Sequence, residues 1–328
     1  MFHSRCGRCF AAILLALCAA LPSFAQAQAY PTRPVRLIIA FPPGGSSDVV
    51  GRLIAEGATE ALGQSVLIEN VPGAGGSIGT ARASKSPADG YTLVLCTIGT
   101  CAINPSVYPN VGYDLQRDFA PVFLVVGGVM NIFTVNPALD VKSIAELVSY
   151  AKANPGKLPV AIGGVGSSNH LTPVWFASIA GLDMLWVPYK GSGDSITALI
   201  GGQVQMFVDN EPSILPQINA GKARPLAVTG PKRSRFLPNV PTMEEVGYKG
   251  FIVEPWYGVM APQGTPRAVV EKLNAAFNAA IQNPRVLKRL EDAGLRLAGG
   301  PPERLGEQIR TESERWAKVV KANNIKVE

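Results

Sequence analysis

Histidine is almost missing from this chain: two occur in 328 residues, His3 and His170. Cysteine is scarce as well, and three of the five, Cys6, Cys9 and Cys18, sit near the N-terminus. His170, Cys96 and Cys101 remain, at no spacing that holds zinc, so neither a metal nor another cofactor is expected. Four residues separate Cys96 from Cys101. In an oxidising compartment such a pair is either a disulfide or two buried thiols, and spacing does not decide between them, because a bridge depends on Cα geometry. Beyond the N-terminal segment no stretch reaches the roughly 18 uncharged apolar residues of a membrane span. Nor is there a block of one charge. The formal net charge is +6, and the nearest approach to a basic run, Lys232-Arg233-Ser234-Arg235, reads as a solvated loop, which argues against nucleic acid as a partner. Carboxylates are not paired for acid–base work either. Glu244 and Glu245 are adjacent and point apart, while Glu291, Asp292 and Glu303 fall on polar helix faces.

What is present begins with a leader. Arg5 and Arg8 precede the apolar run Phe10 to Leu21, Pro22 breaks it, and Ala25-Gln26-Ala27 offers the small residues that a signal peptidase reads. Residues 1–27 are therefore expected to be a cleaved secretory signal; bulky Leu17 ahead of Cys18 speaks against a lipoprotein. The remaining 300 or so residues, roughly, suit two lobes better than one core. Short apolar strands alternate with amphipathic helices. Strands are expected at Val35–Phe41, Ser65–Ile68 and Tyr91–Cys96, with helices at Asp48–Leu62 and from Ser77. A second series follows, with helix Ser143–Ala153 opened by a Ser143/Glu146 capping box, strands at Leu158–Ile162, Met184–Pro188, Val204–Val208 and Ala223–Val228, and helices at Ser168–Gly181 and Asp194–Ile200. The tail reads as three helices, 270–281, 284–293 and 302–321. Such alternation argues for parallel-leaning sheets covered by helices. Two long extended apolar segments, 119–137 and 251–262, frame the middle series and read as two crossings between lobes. Lobe one would then comprise 28–130 and 254–328, and lobe two 131–253.

Two strand-to-helix loops share a composition. One runs Phe41, Pro42, Pro43, Gly44, Gly45, Ser46, Ser47, Asp48; the other Gly163, Gly164, Val165, Gly166, Ser167, Ser168, Asn169, His170. Glycine lets backbone approach a ligand closely, and free amides at a helix N-terminus attract an anion without a charged side chain. A loop of this kind also arises from capping alone, through Ser47/Asp48 or Ser168/Asn169; one loop in each lobe favours a shared anion site. Neither loop has the G-x-G-x-x-G spacing or a Walker lysine, so nucleotide binding is rejected. Gly75-Gly76-Ser77-Ile78-Gly79 matches G-x-S-x-G, which raises an exported serine hydrolase with His170 as base. The elbow needs its serine directly after a strand, whereas Val71-Pro72-Gly73-Ala74 intervene, and His170 belongs to the other lobe. Further polar candidates end strands: Thr97 and Thr100, Tyr189 and Lys190, and Asp209 with Asn210. Asp209 suits either a ligand amine or an ion pair with Lys190; Tyr189 and Trp256 suit apolar walls.

The stretches "YPTRPVRLIIAFPPGGSSDVVGR", "VLIENVPGAGGSIGTARASKSPADGYTLVL", "AINPSVY", "VPYKGSGDSITALIGGQV" and "WYGVMAPQGTP" resemble the Bug-type substrate-binding proteins of tripartite tricarboxylate transporters, over essentially the whole chain after the leader. The resemblance implies a periplasmic, two-lobed α/β "Venus flytrap" of the type II architecture with two crossovers, a monomer and no enzyme. It also implies a small carboxylate as ligand and transporter membrane subunits as partners. In its terms the ligand-binding residues are Phe41, Pro43, Gly44, Gly45, Ser46 and Asp48 from the first loop and Gly164, Gly166, Ser167, Ser168, Asn169 and His170 from the second. Thr97, Thr100, Tyr189, Lys190 and Asp209 line the rest of the cleft. Cys96, Cys101 and Asn210-Glu211 depart from the family pattern, so the particular carboxylate is left open, as is a role in sensing rather than transport.

Overall fold

The computed structural model describes residues 30–325; the expected signal segment and its cysteines lie outside the described residues. The chain divides after Thr32, and the architecture below is that of the unit Arg33–Glu328. Its first half runs Val35–Ile39 (β1), Ser46–Leu62 (α1), Val66–Asn70 (β2), Ser77–Ser84 (α2), Thr92–Thr97 (β3), Asn104–Val107 (α3), Leu115–Asp118 (α4), Phe119–Gly128 (β4) and Asn131–Val135 (β5). There follow Ile144–Ala153 (α5), Pro159–Gly163 (β6), Ser168–Ala180 (α6), Leu185–Tyr189 (β7), Ser192–Ile200 (α7), Met206–Asn210 (β8), Glu211–Asn219 (α8) and Arg224–Val228 (β9). Tyr257–Pro262 (β10), Arg267–Gln282 (α9), Pro284–Asp292 (α10), Arg296–Leu297 (β11) and Pro302–Ala322 (α11) complete it.

The strands form two sheets, one of six strands in the order β11-β4-β10-β3-β1-β2 and one of five in the order β7-β6-β8-β5-β9. β1 pairs in parallel with β2 and β3, and β6 with β7 and β8. Into each parallel set runs one antiparallel strand from a crossing, β10 between β3 and β4, and β5 between β8 and β9. β3 and β10 are buried along their whole length, as strands covered by helices on both faces must be. These are the helix-covered, parallel-leaning sheets that the alternation of elements predicts, in the two-lobed arrangement that the two crossings and the family resemblance imply.

Both crossings occur where expected, but they are built differently. The 119–137 run divides into β4 of one sheet and β5 of the other, with only Val129 and Met130 between. In the second run ladder pairing starts only at Tyr257, because Phe251 to Trp256 lie between the sheets. Those residues are laced to the first crossing instead. Val129 N donates to Pro255 O at 2.6 Å, and Thr229 Oγ1 accepts from Asn131 N at 2.9 Å and donates to Val253 O at 2.6 Å. α11 reaches across both halves: Ser313 Oγ donates to Cys101 O at 3.2 Å, while the Trp316 ring meets Trp175 edge-on at 6.0 Å.

Some boundaries shift for identifiable reasons. α1 starts at Ser46 rather than Asp48, and its buried stripe includes Val50, Leu53, Ile54, Ala58 and Leu62. Gly63 ends it in the left-handed region at φ 66°, its N–H bonding Thr59 O. α8 was hidden by Pro212 and Pro216; the first falls in the opening turn, where a missing N–H costs nothing, and the second removes one helical bond. α1 packs on α9 at Gly57, where a Cβ would lie 2.7 Å from Ala280 Cβ and 2.9 Å from its Cα. Gly57→Ala gains about 1 kcal/mol of helix propensity, but overpacking against backbone costs about 1–3 kcal/mol. The expected net result is a melting midpoint lowered by a few degrees, read by circular dichroism.

Candidate ligand-binding cleft

The first loop is held from behind by Asp48. Its Oδ2 accepts from Gly44 N at 3.2 Å, where φ +88° requires glycine. Asn70 Nδ2 donates to Asp48 Oδ1 at 3.1 Å and to Phe41 O at 3.0 Å, and Arg52 pairs with Asp48 at 2.9 Å. Burial alone would raise the Asp48 carboxyl, but the bonds from Arg52, Asn70 and Gly44 prevail and hold it below the ordinary carboxylate value. The N-cap is Gly45, which offers no side chain, so the Ser46 and Ser47 amides are left without a partner among the described residues.

The second loop reaches the same result by other means. Ser167 caps α6 in position, yet its hydroxyl turns away to Gly164 O at 2.7 Å and Gly163 O at 3.1 Å. Gly166 N donates to His170 Nδ1 at 3.1 Å. Burial holds the imidazole neutral, with its pKa down to about 4. The Ser168 and Asn169 amides are again unpartnered. Simple capping therefore does not account for either loop: two helix N-termini each present free N–H groups and the positive end of a helix dipole.

Both termini border one cleft, shared with Thr97, Ile98 and Gly99 after β3, with Ser192 and Asn210, and with Phe41, Pro42, Pro255, Trp256 and Tyr257. No ionisable side chain other than the Tyr257 phenol is among the residues lining it. The lobes are shut on it. Ser46 Oγ and Ser213 Oγ lie 3.0 Å apart, Asn210 Nδ2 donates to Tyr257 Oη at 3.0 Å, and Tyr108 Oη donates to Val165 O at 2.9 Å. A Cβ on Gly166, at φ +89°, would come within 2.7 Å of the Tyr108 ring and 2.8 Å of Asn104 Oδ1.

Asp209 lies one layer behind the wall and is 0% exposed. Its Oδ1 accepts from Asn169 Nδ2 at 2.5 Å, Asn210 N at 2.8 Å and Ser192 Oγ at 2.9 Å; its Oδ2 accepts from Ser213 Oγ at 2.7 Å. Lys190 is not among its partners. With Tyr189, Lys190 instead borders an adjoining hollow that also touches Gly164 and Phe41. Thr97 faces the cleft, whereas Thr100 is buried beneath it, the two exchanging backbone-to-hydroxyl bonds at 3.1 and 3.2 Å. A Cys96–Cys101 disulfide, with Cα atoms 6.0 Å apart, closes that turn. Of the two thiol alternatives the sequence left open, the bridge is the one formed. Pro43 and Gly44 are exposed on the outer side of their loop.

Ser77 follows a tight turn at Ala74–Gly76 rather than a strand, and its hydroxyl accepts from Asn104 Nδ2 at 3.1 Å. His170 Nδ1 accepts from Gly166 N, Ser77 Oγ accepts from Asn104 Nδ2, and no Ser77–His170 hydrogen bond joins them among the described residues. Nor does any group of His, Cys, Asp and Glu side chains there have the geometry to hold a metal. Sequence reasoning missed Ser192, Ser213 and Tyr257. The signal for Ser192 was legible, since Lys190-Gly191-Ser192-Gly193 is a third glycine–serine loop between strand and helix. Ser213 was masked by its proline-bearing helix.

Burial pushes the Asp209 carboxyl up to about 6 from 3.8, against the pull of its four donors. A raised acid adds stability that is complete below 3.8 and lost as pH rises through about 6; His170, lowered from 6.5 to about 4, does the reverse. The two oppose each other between pH 4 and 6. Asp209→Asn removes the compensating term, so its melting midpoint should fall more steeply than that of the unaltered protein on acidification across this window. Parallel curves would show that Asp209 does not titrate there.

The sequence profile described as "Tripartite tricarboxylate transporter family receptor" matches residues 50–325. Protein BugT of Bordetella pertussis is 38% identical over 303 residues, 92% of this chain and 93% of BugT. The structure of the periplasmic binding protein BugD superposes with a TM-score of 0.87 at 36% identity, covering 90% of this chain and 99% of that one. A Rhodopseudomonas palustris protein solved with adipate gives a TM-score of 0.87 at 38% identity, with coverage of 90% and 99%.

Proposed function

The chain belongs to the tripartite tricarboxylate transporter receptor family, and from that premise we propose that it is a periplasmic receptor that captures a small organic carboxylate and delivers it to the membrane subunits of such a transporter. The observation that carries this reading is the pair of helix N-termini, α1 and α6, whose unpartnered amides at Ser46, Ser47, Ser168 and Asn169 border one cleft. A carboxylate there is met by four N–H groups and two dipoles, in a place where water is scarce and such bonds are strong. Polar contacts from Thr97 and Ser192 complete the site.

The moving parts are the two lobes, divided between residues 130 and 131 and again between 253 and 254. They open at the laced crossings and close when the ligand bridges the two loops. Closure is favoured only by contacts the ligand makes in the closed form and not in the open one. Ser46–Ser213, Asn210–Tyr257 and Tyr108–Val165 are bonds of the closed form, so they add to the grip without touching ligand. The adipate bound to the Rhodopseudomonas palustris relative supports the ligand class. The hydrolase alternative draws no support from the site, given the partners of Ser77 and His170.

Two measurements test the reading. A bound acid at one hundred times its Kd should raise the melting midpoint by about four degrees, so a thermal-shift screen over aliphatic and aromatic carboxylates should find at least one that does; sugars or amines shifting the midpoint where no acid does would refute the ligand class. Gly166→Ala, strained at φ +89° and wedged against Tyr108, should weaken binding of that acid at least tenfold, roughly. Gly45→Ala, whose Cβ would sit at 3.5 Å from Ser192 Cβ in ordinary contact, should leave affinity within about twofold. Equal effects from the two would sink the closing mechanism.

A further inference from the structure

The turn after β3 supplies one wall of the cleft through Thr97, Ile98 and Gly99. The Cys96–Cys101 disulfide spans these residues, with its Cα atoms 6.0 Å apart. Neither cysteine lines the cleft, and they are 1% and 0% exposed. Cys101 Sγ lies instead 3.7 Å from Met260 Sδ of β10, within the core. The bridge therefore acts on the site only through the backbone that it closes.

That backbone is where the second loop comes to rest. A Cβ on Gly99 would lie 3.5 Å from Ser167 Cα and 3.7 Å from Gly166 O, so two stretches of main chain meet with no long side chain between them. Past Cys101 the same segment runs into α3, and Tyr108 Oη donates to Val165 O at 2.9 Å. Gly166 is pressed close to Asn104 and Tyr108. Contacts of this kind have little slack, because a gap of roughly 0.5–1 Å forfeits about a quarter to a half of the attraction. A small shift of the turn would thus unseat the loop that carries the Ser168 and Asn169 amides.

Hydrogen bonds also hold the turn. Thr97 and Thr100 exchange two, at 3.1 and 3.2 Å; Ile98 N donates to Trp256 O at 3.2 Å, and Ser313 Oγ to Cys101 O at 3.2 Å. Each contributes modestly against water, whereas a cross-link removes every conformer in which its ends separate. Without the bridge, capture of a ligand has to order the turn at the same moment, and that entropy is subtracted from affinity. On the carboxylate-receptor reading above, we propose that Cys96 and Cys101 are positioning residues of the binding site: their disulfide presets the turn on which the second anion loop seats, so full affinity requires the oxidised protein.

Calorimetry with butanoate, succinate, adipate, citrate, benzoate and phthalate tests this on the exported protein. Peptide mapping reads the state of the bridge, and free thiols at both positions would overturn the assignment. The comparison is with the same chain reduced in denaturant and refolded under a phosphine, and with Cys96→Ala/Cys101→Ala. Each is measured at a temperature where circular dichroism shows it folded. The acid that binds the oxidised protein tightest should bind both forms without the bridge roughly tenfold more weakly. Should the alanine variant fail to fold, the reduced chain decides. In Gly166→Ala, where the seat is already disturbed, losing the bridge should cost at most about twofold more; an undiminished loss there places its action elsewhere and overturns the proposal. A bridge that serves stability alone lowers the melting midpoint and leaves affinity within about twofold, which sinks the positioning role and leaves the carboxylate receptor standing. If no acid binds the oxidised protein, both readings fall together.

Discussion

Asp209 carries a carboxylate to a place no solvent reaches, and the surrounding chain is arranged around that fact. An isolated buried charge costs far more than any single contact returns, so every donor within reach is turned toward it: Asn169 from the second loop, Ser192 from the start of α7, Asn210 N from its own strand end and Ser213 from α8. Three of these residues belong to different strand-to-helix connections. Satisfying one carboxylate thus fixes the relative placement of three helix starts. Through Ser213 the same network reaches Ser46 on the opposite lobe, so the geometry of the first loop is referred to the same buried charge.

The side chains around the proposed anion site turn away from it. Ser167 bonds backward to Gly163 and Gly164, Gly45 has no side chain to offer, and Asp48 faces the rear of its loop. Amides that a well-capped helix would satisfy internally are thereby kept for a guest. The cost is met by bonds between the closed lobes, such as Ser46–Ser213 and Asn210–Tyr257, and by braces such as Arg52 and Asn70 on Asp48. A site made this way is rigid and chemically plain. On the proposed reading, dipole and donor count separate an anion from a cation or sugar there, and finer choice is left to the walls.

Much of this was legible beforehand because it is local. Strand and helix periods, the Gly63 stop, the Ser143 cap and the two glycine–serine loops are each written in a few neighbouring residues, and the two apolar runs marked the crossings. What stayed hidden depends on residues distant in sequence. Asp209 and Lys190 both end strands and invite pairing, yet β8 is interior and β7 an edge, which leaves one buried and the other exposed on a neighbouring hollow. Thr97 and Thr100 looked equivalent until the turn after β3 put one in the cleft and one beneath it. The Cys96–Cys101 bridge needed Cα positions that spacing does not supply. α8 escaped notice because its prolines argue against a helix locally, while tertiary packing of Ile214 and Leu215 argues for one.

The interleaving of β10 between β3 and β4 has a consequence for the order of assembly. The five-stranded sheet draws on residues 131–228 without interruption, so it has all its strands once that stretch of chain is available. The six-stranded sheet begins earlier in the sequence but lacks a central strand until Tyr257–Pro262 arrives, and α11 docks later still. For any chain made or moved N-terminus first, the half that starts second is the half that can finish first. The half that receives it must wait, its β3 and β4 edges unpaired, for the end of the molecule.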